Sequence, residues 1–140
     1  MGGEPMTIIQ IADFVRAWFD KAGQANGPLL PDGWFGGRPY ENTFFLAGVQ
    51  VLGESLAIRM DEDTTLTIDH PDRVLIENSA LVFDGFQQAT LRWRHYGGGP
   101  AAPYHEKRYT TGQVRLVPPL GTTVLLQADG LSPREGRPAR

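Results

Sequence analysis

The sequence predicts a mainly β protein of the α+β class, in which one N-terminal amphipathic helix packs on an antiparallel meander of about seven or eight strands. Apolar residues recur at spacings of three and four only near the N-terminus, and from Phe44 onward the spacing changes to two. Turn residues then follow at short intervals, which is typical of antiparallel strands rather than of βαβ units.

The helix is expected from Ile8 to Ala22. Thr7 and Gln10 have the spacing of a capping box, and Gly23 stands where a left-handed residue commonly ends a helix. The apolar positions form a single stripe that includes two aromatic residues, so we expect this stripe to lie on the sheet. The stripe consists of Ile8, Ile11, Ala12, Val15, Trp18, Phe19 and Ala22.

The strands are expected between clusters of turn residues. Leu56, Ile58 and Met60 alternate with other residues, and Leu66 and Ile68 resume the alternation after an acidic turn, so these two segments should form a hairpin. Further strands are predicted at about 74–76, 81–83, 89–96, 105–117 and 124–127.

This number of strands with a single helix requires either a closed barrel or two packed sheets, because one open sheet would leave a face that so short a helix cannot cover. We favour a small barrel or a strongly curved sheet. A chain of 140 residues has the usual size of one domain, which we place at residues 1–128. Residues 129–140 contain almost nothing apolar, and we predict a flexible tail there.

Composition excludes several classes of protein. The chain has no cysteine, which excludes a disulfide scaffold, thiolate metal sites and thiol nucleophiles. The apolar residues near the N-terminus are interrupted by Gln10, Asp13 and Arg16, so they indicate neither a signal peptide nor a membrane span. We therefore predict a cytoplasmic protein with no membrane association.

The charges are distributed unevenly along the chain. Residues 1–86 hold 5 Lys or Arg against 13 Asp or Glu, and residues 87–140 hold 8 against 3, which gives the net charge of −3. A basic second half could bind an anionic partner. The favoured alternative is that oppositely charged strands lie side by side and neutralise each other.

The segment 30–42 combines glycines with large aromatic and basic side chains. Seven of its residues form a pattern: Trp34, Phe35, Gly36, Arg38, Pro39, Tyr40 and Asn42. The pattern resembles a Trp-Phe-Gly-Arg-Pro-Tyr-Asn-like segment in a group of small uncharacterised bacterial proteins of actinobacterial type, with no known function. Here Gly37 is an addition, and Glu41 stands where an Asp is expected. The resemblance implies a compact β-rich domain and transfers no chemistry.

The same segment has two physical interpretations. Gly36 and Gly37 would let backbone N–H groups converge on an anion, and Arg38 offers a planar fork for a carboxylate or phosphate. No strand precedes and no helix follows the glycines, so this is not a dinucleotide fingerprint. The favoured interpretation is structural: Trp34 and Phe35 plug the end of the core, and Arg38 pairs with a carboxylate.

The side chains of two histidines are expected to point inward from the predicted strands. His70 continues the face of Leu66 and Ile68, and His95 continues that of Leu91. Such imidazoles at a barrel mouth could ligate a metal or move a proton. No third ligand has metal-site spacing, so we favour histidines at a solvated rim and predict no metal site.

A nucleic-acid surface is not expected. Basic and aromatic residues interleave at Arg92, Trp93 and Arg94, but Trp93 should point away from both arginines. Bases stack on aromatic rings that lie on the same face as the basic groups. We therefore predict that nucleic acid is not a partner.

The sequence favours a non-enzymatic protein-interaction module that presents residues 34–42 or a sheet face to a protein partner or to a second copy of itself. The alternative is a small-molecule-binding barrel, with Trp34, Tyr40, His70 and His95 at its mouth and Arg38 holding an anionic group. An enzyme built on such a pocket is the least favoured alternative. We predict no catalytic residue and no cofactor.

Overall fold

A computed structural model describes residues 6–34, 43–60, 63–94 and 101–126. These residues form one helix and ten strands, so the prediction of a mainly β protein with an N-terminal helix on antiparallel strands is confirmed. The elements are α1 (Ile8–Ala22), β1 (Ala25–Leu29), β2 (Thr43–Phe44), β3 (Gly48–Leu52), β4 (Ser55–Arg59), β5 (Thr65–Asp69), β6 (Arg73–Glu77), β7 (Ala80–Gly85), β8 (Gln88–Arg94), β9 (Tyr104–Tyr109) and β10 (Val114–Val117).

The helix begins and ends at the predicted residues. Thr7 Oγ1 accepts the Gln10 N–H at 3.1 Å, and Gln10 Oε1 accepts the Thr7 N–H at 2.8 Å, which completes the capping box. At the other end Gly23 has a φ of 81° and donates its N–H to the Phe19 carbonyl at 2.7 Å. Both ends of α1 are therefore determined by local sequence.

The strands are divided between two antiparallel sheets. The first sheet has the order β2-β1-β10-β7-β6, and the second has the order β3-β4-β5-β8-β9. The sequence left two sheets open as an alternative but favoured a barrel or one curved sheet with fewer strands. One added strand, β1, contains Gly27 and Pro28, two residue types that are depleted in strands and gave no strand pattern.

The helix and the inner faces of both sheets share one apolar core. The helix packs on β3 and β4, and its largest buried side chain, Trp18, also reaches the first sheet. Trp18 Nε1 donates to the Ser79 carbonyl at 2.8 Å, in the turn between β6 and β7. The helix thus joins the two sheets from the inside.

The predicted tail, 129–140, and the predicted domain boundary at residue 128 lie outside the described residues. Among the residues that the structure describes, no helix is long and apolar enough to cross a membrane.

We predict that Trp18→Ala lowers the free energy of unfolding by about 3–5 kcal/mol, because the side chain is fully buried and its removal leaves a cavity. Trp18→Phe is the control: it retains much of the packing but leaves the Ser79 carbonyl without its donor, which should cost about 1–3 kcal/mol. Urea denaturation measures both. An unchanged midpoint for Trp18→Ala would contradict this role of the helix.

Candidate functional site

Two of the five residues proposed from the sequence as ligand contacts lie in the described part of the chain. These are Trp34 and His70, whereas Arg38, Tyr40 and His95 lie outside it.

His70 does not continue the inward face of β5. It follows the last residue of the strand, it is exposed, and its φ of 47° is in the left-handed region. Its N–H donates to the Glu54 carbonyl at 2.8 Å, which closes the connection next to the β3–β4 turn. The expectation that His70 continues the inward-facing side of β5 is therefore wrong. The alternation of side-chain directions ends where the backbone leaves the extended conformation.

Trp34 and His70 lie at different ends of the second sheet. Trp34 packs against Trp93, near the end of β8 where Arg92 pairs with Thr65. His70 follows the other end of β5, where Asp69 pairs with Gln88. Four residues of extended strand separate these pairs, which is roughly 14 Å. The two side chains thus do not line a common mouth.

Trp34 belongs to a group of side chains that we call the Trp34 cluster. Three members lie on the inner side of β9, where His105 pairs with Trp93, Lys107 with Leu91, and Tyr109 with Ala89. The chain that leaves β1 then brings a carboxylate and an indole against them. The cluster consists of Asp32, Trp34, Trp93, His105, Lys107 and Tyr109.

The rings of the cluster contact one another. The Trp34 and Trp93 centroids are 4.7 Å apart with an interplanar angle of 36°, and the Trp93 and His105 centroids are 5.4 Å apart with an angle of 31°. Lys107 Nζ lies 4.9 Å from the Trp34 ring centroid. Trp34 and Trp93 are also packed against the apolar core, which is the arrangement expected of a residue that plugs the end of the core.

Asp32 is the hydrogen-bonding centre of the cluster. Its Oδ1 accepts the Trp34 N–H at 2.9 Å, and its Oδ2 accepts the Tyr109 hydroxyl at 2.9 Å and Lys107 Nζ at 3.1 Å. The Trp34 N–H has the largest effect on Asp32, and together with Tyr109 and Lys107 it lowers the pKa of the carboxyl below its ordinary value. One carboxylate therefore ties the turn after β1 to β9.

Burial, followed by the hydrogen bond to Asp32, raises the pKa of Tyr109 to about 12. At neutral pH the cluster therefore holds an ionised carboxylate and a neutral phenol. Efficient acid–base catalysis at neutral pH needs groups that titrate near neutrality. The shifts of Asp32 and Tyr109 move both pKa values away from that range, so the pair is suited to holding structure rather than to proton transfer.

The outer face of the second sheet carries a different set of side chains. One row across β4, β5, β8 and β9 consists of Arg59, Thr65, Arg92 and Glu106, and the neighbouring row consists of Ala57, Thr67, Thr90 and Arg108. All three arginines of these rows are exposed.

Tyr104 lies on this outer face, at the start of β9 and opposite Arg94. The Arg92 guanidinium carbon lies 4.0 Å from the Tyr104 ring centroid and that of Arg94 lies 4.6 Å from it. Arg94 Nη2 also donates to the Tyr104 hydroxyl at 3.0 Å and to Asp63 Oδ1 at 2.7 Å. The bond to Asp63 is the main cause that raises the pKa of Arg94. Arg92 is thus stacked on an aromatic ring and remains exposed.

Sequence reasoning missed Tyr104 as a neighbour of these arginines. It compared Arg92 and Arg94 with Trp93, which does point to the other face, as expected. Tyr104 belongs to the next strand, and the face of the sheet on which it lies depends on how β8 is connected to β9. The expectation that nucleic acid is not a partner stays a prediction, although Tyr104 does place an aromatic ring on the same face as Arg92 and Arg94.

The outer face of the first sheet shows a contrasting arrangement. Arg73 pairs with Asp84 and Arg115 pairs with Glu77, while Gln113 Nε2 donates to Asp84 Oδ1 at 2.5 Å. Gln113, followed by Arg73, lowers the pKa of Asp84. On the second sheet, by contrast, Arg59 and Arg92 form no ion pair within the described part of the chain.

The acidic first half and the basic second half of the chain are joined by ion pairs. Three basic residues after position 86 form ion pairs with carboxylates before it, so charges of the two halves do meet. They do not meet as neighbouring strands of opposite charge, because two of the carboxylates lie outside strands and β7 lies between β6 and β10. The pairs are Lys107–Asp32, Arg94–Asp63 and Arg115–Glu77. Over the residues that the structure describes, no group of three His, Asp or Glu side chains could hold a metal ion.

We predict that one of the four tyrosines titrates at about pH 12 in the folded protein, and that Tyr109→Phe removes this component. Because the folded pKa lies above the ordinary value of about 10, the contribution of Tyr109 to stability is complete below about pH 10 and is lost as pH rises to about 12. Asp32→Asn should move the component towards lower pH, since one cause of the shift is removed. A phenolate absorbance titration measures this, and four tyrosines titrating together near pH 10 would contradict it.

Comparisons with known proteins found no match: no family model, no curated protein and no solved structure matches the chain. The resemblance of the segment 34–42 to the actinobacterial-type group therefore stays an expectation, and any function has to be argued from the geometry.

Proposed function

We propose that this chain is a non-enzymatic interaction module, and that it binds a protein partner through the outer face of the second sheet. The observation that carries the proposal is that Arg59 and Arg92 are exposed and without an ion pair in the described residues, on a face that the helix and the first sheet leave uncovered.

The position of the core supports this choice of surface. The buried residues of β4, β5 and β8 include Leu56, Ile68 and Ala89, which pair in one row and face the helix and the first sheet. Alternation along the strands then directs the intervening residues outward. Within the described residues, the outer face is therefore a continuous sheet surface that neither the helix nor the first sheet covers.

The residue types on this face also support binding. Arg and Tyr are enriched among the residues that contribute most to protein interfaces. The Arg92 guanidinium lies against the Tyr104 ring, so both side chains are held before a partner arrives, and less conformational entropy is lost on binding. Tyr104 is 40% exposed and can still contribute apolar area.

The Trp34 cluster supports a non-catalytic role for its own part of the molecule, since its carboxylate and phenol are paired with each other. The small-molecule alternative placed Trp34 and His70 at one mouth, and these residues lie at different ends of the second sheet. Arg38, Tyr40 and His95 remain proposed ligand contacts in segments that the structure does not describe.

We predict that a partner retained by the immobilised protein from a lysate of its own cells is lost, by about tenfold or more, when Arg92→Ala and Tyr104→Ala are combined. Arg73→Ala is the control, because Arg73 is exposed on the first sheet and pairs with Asp84 there. Quantitative mass spectrometry of the retained proteins measures the effect, and circular dichroism verifies the fold. If the unsubstituted protein, the double variant and Arg73→Ala all retain the partner equally, the outer face is excluded as the interface.

A further inference from the structure

We infer that the partner presents an acidic polypeptide segment whose separate carboxylates pair with Arg59 and Arg92. This inference rests on the proposed function, because it assigns the chemistry of the group that the same face recognises.

The two arginines are spaced as discrete anchor points. Arg59 on β4 and Arg92 on β8 lie in one row, with Thr65 of β5 between them. Two strand spacings separate their backbones, which is roughly 10 Å. Each guanidinium can therefore take a different carboxylate, and the planar fork of arginine suits bidentate pairing with that group.

Carboxylates on the same face argue against a continuous polyphosphate. Glu106 lies opposite Arg92 in the register of β8 and β9 and forms an ion pair with Arg108, and Asp69 lies on the outer side of β5. A nucleic-acid backbone carries a phosphate at every nucleotide, so it would place phosphates beside these groups as well as beside the arginines. A polypeptide with separated acidic residues avoids this repulsion because its charges are spaced.

The surface between the arginines is polar and uncharged. Thr65, Thr67 and Thr90 are half-buried on adjacent strands, and Thr67 pairs with Thr90. Their hydroxyl groups can donate to a peptide carbonyl or accept from a peptide N–H. Beside Arg92, the Tyr104 ring offers an apolar contact. Two guanidinium groups with hydroxyl groups between them therefore suit a peptide whose acidic residues are separated by uncharged ones.

The test measures binding of three defined anions to the full chain by isothermal titration calorimetry at low ionic strength: a synthetic peptide with glutamate at every third position and serine between, single-stranded oligodeoxythymidine and inorganic phosphate. In an extended peptide this spacing sets the carboxylates roughly 10 Å apart, as the two arginines are. The double variant Arg59→Gln/Arg92→Gln is compared with Arg73→Gln/Arg115→Gln, which changes the net charge equally on the first sheet. We expect the spaced-glutamate peptide to bind best. The first variant should weaken that binding roughly tenfold and the second less than about twofold, since only the first removes the guanidinium groups that pair with the glutamates of the peptide.

Thermal melting of both variants verifies that each is folded. Equal weakening by the two variants would overturn the inference, because it would show an effect of net charge alone. Tighter binding of oligodeoxythymidine, binding of inorganic phosphate alone, or no binding of the spaced-glutamate peptide would overturn it as well. If this peptide fails to bind while the Arg92→Ala/Tyr104→Ala variant still loses its partner from the lysate, the proposed interface stands and only the acidic character of the partner is refuted.

Discussion

The alternation of side chains along β4, β5 and β8 is the constraint on which the rest of the structure depends. Once Leu56 and Ile68 are buried against the helix and the first sheet, the register places Ala57 and Thr67 on the opposite side. A slip of one residue would exchange the two sets and expose the core. The surface that we propose for binding is therefore determined by the same register that forms the core.

The inner face of the second sheet does not stay apolar as far as its edge. On β9 the inward positions include Lys107 and Tyr109, opposite Leu91 and Ala89. Asp32 supplies a partner for both polar groups, from a turn that is distant in sequence. An inward-pointing charge on an edge strand also discourages pairing with foreign strands. The Trp34 cluster can thus close the edge of the core and protect it at the same time.

The parts of the fold that local sequence determines could be predicted, and the parts that depend on distant pairing could not. The ends of α1 follow from Thr7, Gln10 and Gly23, whose interactions lie within a few residues of one another. The inward position of His70 was wrong because parity does not continue through a left-handed residue.

The candidate site shows the same division. The sequence singled out Trp34, and its contacts with Trp93 fit the structural interpretation that was favoured. Tyr104 was missed because its place beside Arg92 depends on the pairing of β8 with β9 across a connection whose geometry the sequence does not reveal. A surface assembled from neighbouring strands leaves no linear motif.

The two outer faces differ in how they use charge, and the energetic difference between them is small. An exposed ion pair such as Arg73–Asp84 contributes only about 0–1 kcal/mol to stability. Within the described residues neither Arg59 nor Arg92 has a carboxylate partner, and this costs the fold little. On the proposed binding face, an incoming carboxylate would not have to displace a partner among these residues, so the two arginines can serve binding almost independently of folding. By the same reasoning, Arg94 is a poorer anchor, because a partner would have to compete with Asp63 for its guanidinium.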